Sequence, residues 1–121
     1  MLLSPSSWAV DAGHDEATER YGTLWETGYT SLARLFDMAV VGVSNVGRLS
    51  AGPWEGRKCI GCSLAVGPCG SVLARAPYGE TAEALVVVDV PVVPTPARGT
   101  QITERLRARG YDPACILDAP E

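Results

Sequence analysis

A chain of 121 residues is long enough for one ordinary domain and too short for two. Apolar residues make up 46% and charged residues 20%, the balance of a folded soluble protein rather than of a disordered tail. The net charge of −4, the pI near 4.9 and a cation count of nine Arg and one Lys (Lys58) argue against a nucleic-acid partner, which requires clustered positive charge.

No apolar run reaches the length of a bilayer span, and residues 1–10 lack a basic leader and break at Pro5-Ser6-Ser7 after two leucines, so no membrane partner and no signal peptide are expected. A cytoplasmic location follows as the expectation, with Cys59, Cys62, Cys69 and Cys115 as reduced thiols rather than a disulfide framework.

Leu2 and Leu3, followed by Ser4-Pro5, read as the end of a short buried strand, and 11–16 as a polar loop. Over 17–35, Tyr21, Leu24, Trp25, Leu32 and Leu35 recur at spacings of three, four and seven, which predicts a helix with one buried face despite Gly22 and Gly28. Residues 38–44 (MAVVGVS) are a Val-rich run suited to a central strand covered on both faces. Beyond a loop over 47–56, the stretches 59–66 and 71–76 flank Gly67-Pro68-Cys69-Gly70 and predict a β-hairpin. Residues 84–90 (ALVVVDV) predict one more strand. Pro91, Pro94 and Pro96 then bar regular structure until Thr100 can cap a helix over 101–109, closed by Gly110. Arg105, Arg107 and Arg109 fall at the end of that helix, where cations oppose the negative end of its dipole, and are assigned no function. The sum is an α+β fold: a mostly buried sheet of four or five strands with the helix over 17–35 on one face.

Three groups of residues invite a chemical reading. Glu55, Lys58 and Cys59 have the residue types of a nucleophilic triad, but neighbours on a strand project to opposite faces, so Lys58 and Cys59 should not converge on one carbon. Cys59-Ile60-Gly61-Cys62 is formally a C-x-x-C, yet on a strand this spacing again means opposed faces. Cys69, Cys115 and His14 offer no second paired spacing, so no metal and no cofactor are expected. His14, beside Asp15 in a polar loop, serves as a base only where the fold delivers a nucleophile to it.

Several segments, taken in order, resemble the C-terminal half of the nitrilase superfamily's carbon–nitrogen hydrolase domain. Leu2-Leu3-Ser4-Pro5-Ser6-Ser7-Trp8 resembles the family strand that follows the nucleophile helix and ends in a turn beside the substrate pocket. Val40-Val41-Gly42-Val43-Ser44-Asn45-Val46-Gly47 resembles the next strand with its closing Asn and Gly. Gly61-Cys62-Ser63, with the Gly67-Pro68-Cys69-Gly70 turn, resembles the family hairpin, and 79–90 the run of acid, valines and Asp that ends the core sheet.

The resemblance implies a partial αββα sandwich, with 1–93 as the C-terminal half of the domain and 94–121 as an extension carrying one helix. It implies a chemistry in which a cysteine thiolate attacks an amide or nitrile carbon, a glutamate moves the proton and a lysine stabilises the developing charge. All three of those residues precede the matched region, so no catalytic residue is expected in this chain. Hydrolysis of a small amide or nitrile would require an upstream half, and without one the chain is expected to self-associate. Trp8, with Ser6 and Ser7 beside it, would lie at the rim of the substrate pocket, or Trp8 would simply pack on 10–13. A second reading is a non-catalytic interaction module that pairs with a full-length relative.

Overall fold

The computed structural model describes residues 1–15, 17–18, 22–94 and 101–111, and its strands fall into two sheets. The first has four strands in the order β1 (Leu2–Ser6), β3 (Val40–Ser44), β6 (Leu64–Val66) and β7 (Val72–Arg75). The second has three, β2 (Ala9–Val10), β5 (Lys58–Ile60) and β4 (Val46–Arg48). β1 and β3 pair in parallel, Leu2 opposite Val40, and every other pairing is antiparallel. A parallel pair needs a crossover, and the helix α1 (Gly22–Phe36) lies in that connection.

Strand alternation sorts the first sheet into two faces. Val40, Gly42, Leu64 and Val66 face α1, and Tyr29, Ala33, Val40, Leu64 and Val66 form the core, with Trp25, Leu32 and Val72 packed against it. Tyr29 lies over Gly42 so closely that a Cβ there would overlap its ring, and the Tyr29 hydroxyl donates to Ser4 Oγ at 3.2 Å. The opposite face carries Leu3 and Val43, which are 64% and 60% exposed. The sheet is therefore buried on one side, and the expectation that 38–44 is covered on both faces is corrected.

The predicted helix over 17–35 begins at Gly22 among the described residues, because the Asp15 carboxylate accepts from the Ala17 N–H at 3.0 Å and the Thr18 hydroxyl at 2.9 Å, holding 17–18 in a turn. Trp25 and Leu32 pack against the core as expected, but the buried face is not the whole of the predicted one. Leu24 is 61% exposed, and the buried residues are Tyr29 and Ala33, which follow Trp25 at intervals of four. At the helix end, Asp37 takes a left-handed φ of 51° and the Met38 N–H bonds back to the Ala33 carbonyl at 3.1 Å, a Schellman closure. The second helix, α2 (Gln101–Ala108), packs against α1 and closes in the same way with Gly110 at φ 86° and Tyr111 N–H on the Leu106 carbonyl at 3.0 Å.

The predicted hairpin is present as β6 and β7, its turn closed by Gly67 and Ser71 at 2.8 Å. Its first arm is shorter than 59–66, however. Gly61 and Cys62 both adopt left-handed backbone, φ 75° and 65°, which turns the chain out of β5 in one sheet and into β6 in the other. Residues 84–90 are not a strand: no strand among the described residues pairs with them. Tyr21, Pro96, Thr100 and Cys115 lie outside the described residues. No helix among the described residues is long and apolar enough to cross a membrane.

Candidate functional site

A cavity of about 420 Å³ opens where the first turn of α1 meets the corner between the two sheets. The helix contributes Gly22, Thr23 and Glu26, the corner contributes Cys62, Ser63 and Leu64, the end of β7 contributes Arg75, and the segment just beyond it Ala76 and Tyr78. The corner's left-handed backbone brings Cys62 here. A Cβ on Gly22 would lie 3.6 Å from the Cys62 sulfur, so the thiol sits beside the start of the helix.

Most of the polar groups in this lining already serve the fold. Arg75 grips Glu26 through two hydrogen bonds, 2.7 Å from Nη2 and 3.2 Å from Nε. Ser63 Oγ accepts from the Ser44 N–H at 3.0 Å and donates to the Ser44 carbonyl at 3.4 Å, tying the end of β3 to the corner. The lining contains no Lys and no His among the described residues, and its one carboxylate is the one that Arg75 holds. A cysteine nucleophile needs a base to take its proton and a donor to stabilise the developing charge, and these walls supply neither as a free group. The arrangement can receive a small polar molecule but lacks a triad.

Glu55, Lys58 and Cys59 do not form one elsewhere. Cys59 is 1% exposed in the middle of the second sheet, and burial pushes its thiol above the ordinary range, away from a nucleophile. Lys58 is its neighbour on β5, opposite Val10 and Arg48, and Glu55 is exposed in the turn before it. Cys59 and Cys62 do not share a strand, because Cys62 lies past the left-handed corner, so the expectation of opposed faces on one strand is replaced by different segments. Among the described residues no three His, Cys, Asp or Glu side chains cluster so as to hold a metal.

Trp8 finds its ring partner on α1: its centroid is 4.1 Å from that of Trp25, edge to face, and Trp25 continues to Tyr29 at 5.3 Å. The aromatic row Trp8–Trp25–Tyr29 fastens the turn after β1 to the helix, leaving Trp8 39% exposed. Ser6 is half-buried and donates a long hydrogen bond, 3.5 Å, to the Val43 carbonyl, while Ser7 is exposed. None of the three lines the cavity. Cys69 is exposed in the hairpin turn, 3.2 Å from Ser71 Oγ, and the hydrogen bonds from Ser71 hold its thiol below the ordinary range.

Tyr29, Gly42 and the Glu26–Arg75 pair are the positioning residues that sequence reasoning missed. The interval of four from Trp25 to Tyr29 to Ala33 was a usable signal for the first. A glycine inside a valine run was a signal for the second, since it marks close approach by another group. Glu26 and Arg75 are 49 residues apart and carry no local pattern.

The sequence matches no protein-family model and no curated protein. Among solved structures, a carbon–nitrogen hydrolase from Helicobacter pylori G27 superposes on 98% of this chain with a TM-score of 0.59 and 20% identity. The match covers 37% of that chain, so the present chain spans just over a third of its length. The likeness establishes the fold, which is α+β and occurs in that protein as one part of a larger structure.

Proposed function

We propose that this chain is the C-terminal portion of a nitrilase-type carbon–nitrogen hydrolase domain, acting on a small amide or nitrile when completed by the rest of the domain and inactive alone. The observation that carries this is the superposition, which spans nearly the whole chain and only 37% of the Helicobacter pylori protein. The arrangement of Cys59, Lys58 and Glu55, and the engaged carboxylate in the cavity, support inactivity: no thiol, base and cation converge among the described residues. In the completed domain Trp8, with Ser6 and Ser7, would stand at the pocket's rim, its ring held in place by Trp25.

The test is to assay the 121-residue chain on acetamide, propionamide and benzonitrile, and to repeat the assay with a separately made polypeptide encoding the upstream half. The expected result is no turnover above the uncatalysed rate for the chain alone and turnover on mixing. Turnover by the chain alone that disappears in Cys62→Ala would overturn the proposal.

The exposed Leu3 and Val43 favour a second reading, a non-catalytic module that pairs with a full-length relative. It predicts stable complex formation on mixing without any gain in turnover.

A further inference from the structure

β1 ends the first sheet, and its hydrogen bonds show what its outer edge carries. The Leu2 N–H donates to the Ala39 carbonyl at 2.8 Å, and the Ser6 carbonyl accepts from the Asn45 N–H at 3.3 Å, so both residues turn their backbone groups toward β3. Successive residues of a strand turn these groups to alternate edges, which sends those of Ser4 inward too and those of Leu3 and Pro5 outward. Pro5 has no N–H. The outer edge over Leu2–Ser6 therefore offers one donor, the Leu3 N–H, and two acceptors, the carbonyls of Leu3 and Pro5, and no strand among the described residues takes them.

The side chains along this edge are apolar and wet. Met1, Leu2 and Leu3 are 57%, 38% and 64% exposed, and Val43, opposite Pro5 in the ladder, is 60% exposed. The sheet's other margin differs. β7 ends in Arg75, whose guanidinium is held by Glu26, and a charged side chain is a common guard of an exposed strand edge. Pro5 guards β1 only in part: at an outward position it denies a neighbouring strand the donor at that residue and leaves Leu3 open to pairing.

We propose that the outer edge of β1 is where this chain joins the rest of its domain, through a strand of that part hydrogen-bonded to Leu3 and reaching no further than the Pro5 carbonyl. This rests on the reading of the chain as one portion of a larger domain. The occupant follows from the superposition: nearly the whole chain lies on 37% of a larger fold, so the neighbour that an unguarded apolar edge lacks belongs to the remaining part. Opposite Pro5 the joining strand keeps a carbonyl with no donor to meet it. The pairing is therefore short, and the open face over Leu3 and Val43 carries the rest of the contact.

The experiment follows amide exchange residue by residue, by NMR, in the isotope-labelled full chain alone and with the unlabelled upstream polypeptide of the turnover assay. In the chain alone, Ser4 and Ser6 should be protected and Leu3 should exchange close to the rate of an unstructured peptide. In the mixture Leu3 should slow at least about tenfold. Leu3→Pro removes the one outward donor, so it should keep the far-UV spectrum of the parent and bind the upstream polypeptide at least about tenfold more weakly. A complex in which Leu3 exchanges as fast as before overturns the proposal and leaves the hydrolase reading standing, since turnover on mixing is read separately. So does a complex that Leu3→Pro forms as tightly as the parent. Two polypeptides that do not bind overturn both. Protection of Leu3 in the chain alone, growing with its concentration, gives the edge to a second copy and likewise overturns the proposal.

Discussion

Two thiols ten residues apart show how far local surroundings divide residues of one type. Cys69 is exposed and its thiolate is favoured by the Ser71 hydroxyl and N–H, whereas Cys59 is buried and its thiolate disfavoured. Iodoacetamide reacts with the thiolate, so lowering a thiol's pKa moves its rate–pH curve to lower pH. Cys69 should therefore alkylate with a midpoint below that of a free cysteine in the native chain and shift upward in urea, while Cys59 should react only in urea. Peptide mapping of the labelled chain checks both, and equal native rates would contradict the placement of Cys59. Asp37 offers a second comparison. It holds at the end of α1 the left-handed position that Gly110 holds at the end of α2, and a residue with a Cβ costs about 1–2 kcal/mol there. Asp37→Gly should raise stability by roughly 0.5–1 kcal/mol in a urea titration, the gain trimmed by glycine's extra unfolded-state entropy. The glycine at 110 could be placed from sequence alone because a helix end there was already framed by proline and arginine. Asp37 carried a weaker signal, since Asp visits the left-handed region more readily than most residues with a Cβ but far less often than glycine.

The strand over Val40–Ser44 carries both extremes of packing on adjacent residues. Gly42 lies under the Tyr29 ring, and Val43 points away from the helix into solvent. Gly42→Ala should destabilise the chain by about 1–3 kcal/mol through overpacking. Val43→Ala, one residue on, should change stability by no more than about 0.5 kcal/mol. Chemical denaturation of the two variants decides it, and a large loss in Val43→Ala would mean that the open face is covered in solution. The valine run made this strand easy to find, but a run of one residue type hides its sidedness, since period two is invisible when both faces are valine. For α1 the reverse held. Its period was plain and Trp25 and Leu32 do face the sheet, but counting large apolar residues included Leu24, which is exposed, and left out Ala33 and Tyr29, a small and a polar-tipped residue that fill the space between helix and sheet. The corner at Gly61 and Cys62 escaped the sequence reading altogether. Cysteine is an unremarked residue in a strand pattern, and only backbone geometry reveals that the chain changes sheets there.

At the scale of the molecule, exposed area dominates. The first sheet leaves Leu3 and Val43 64% and 60% exposed on its open face, so the stability of the chain depends on what covers that face. Anything that binds the folded state and not the unfolded raises the melting temperature with concentration. Calorimetry of the chain between about 5 and 500 μM should show its midpoint rising with concentration, and a constant midpoint would mean that the folded unit is a lone chain. Composition foretold a folded, acidic unit, and apolar periodicity its α+β class. It could not foretell the unpaired 84–90, because strand propensity records only what a segment would do beside a neighbour.

The parallel pairing of β1 with β3 also sets a timetable. Leu2 and Val40 are 38 residues apart in the chain, whereas the β6–β7 hairpin joins residues as close as Val66 and Val72. Closing a long loop before its contacts reward it slows folding, so the hairpin with β3 and α1 is the natural nucleus and β1 the late arrival. On a ribosome adding about 5–20 residues per second, Leu2 and Leu3 wait about 2–8 seconds before their partners on β3 have even been made. For that interval they are an apolar segment without a sheet, and β1 takes its place only after the strand it pairs with exists.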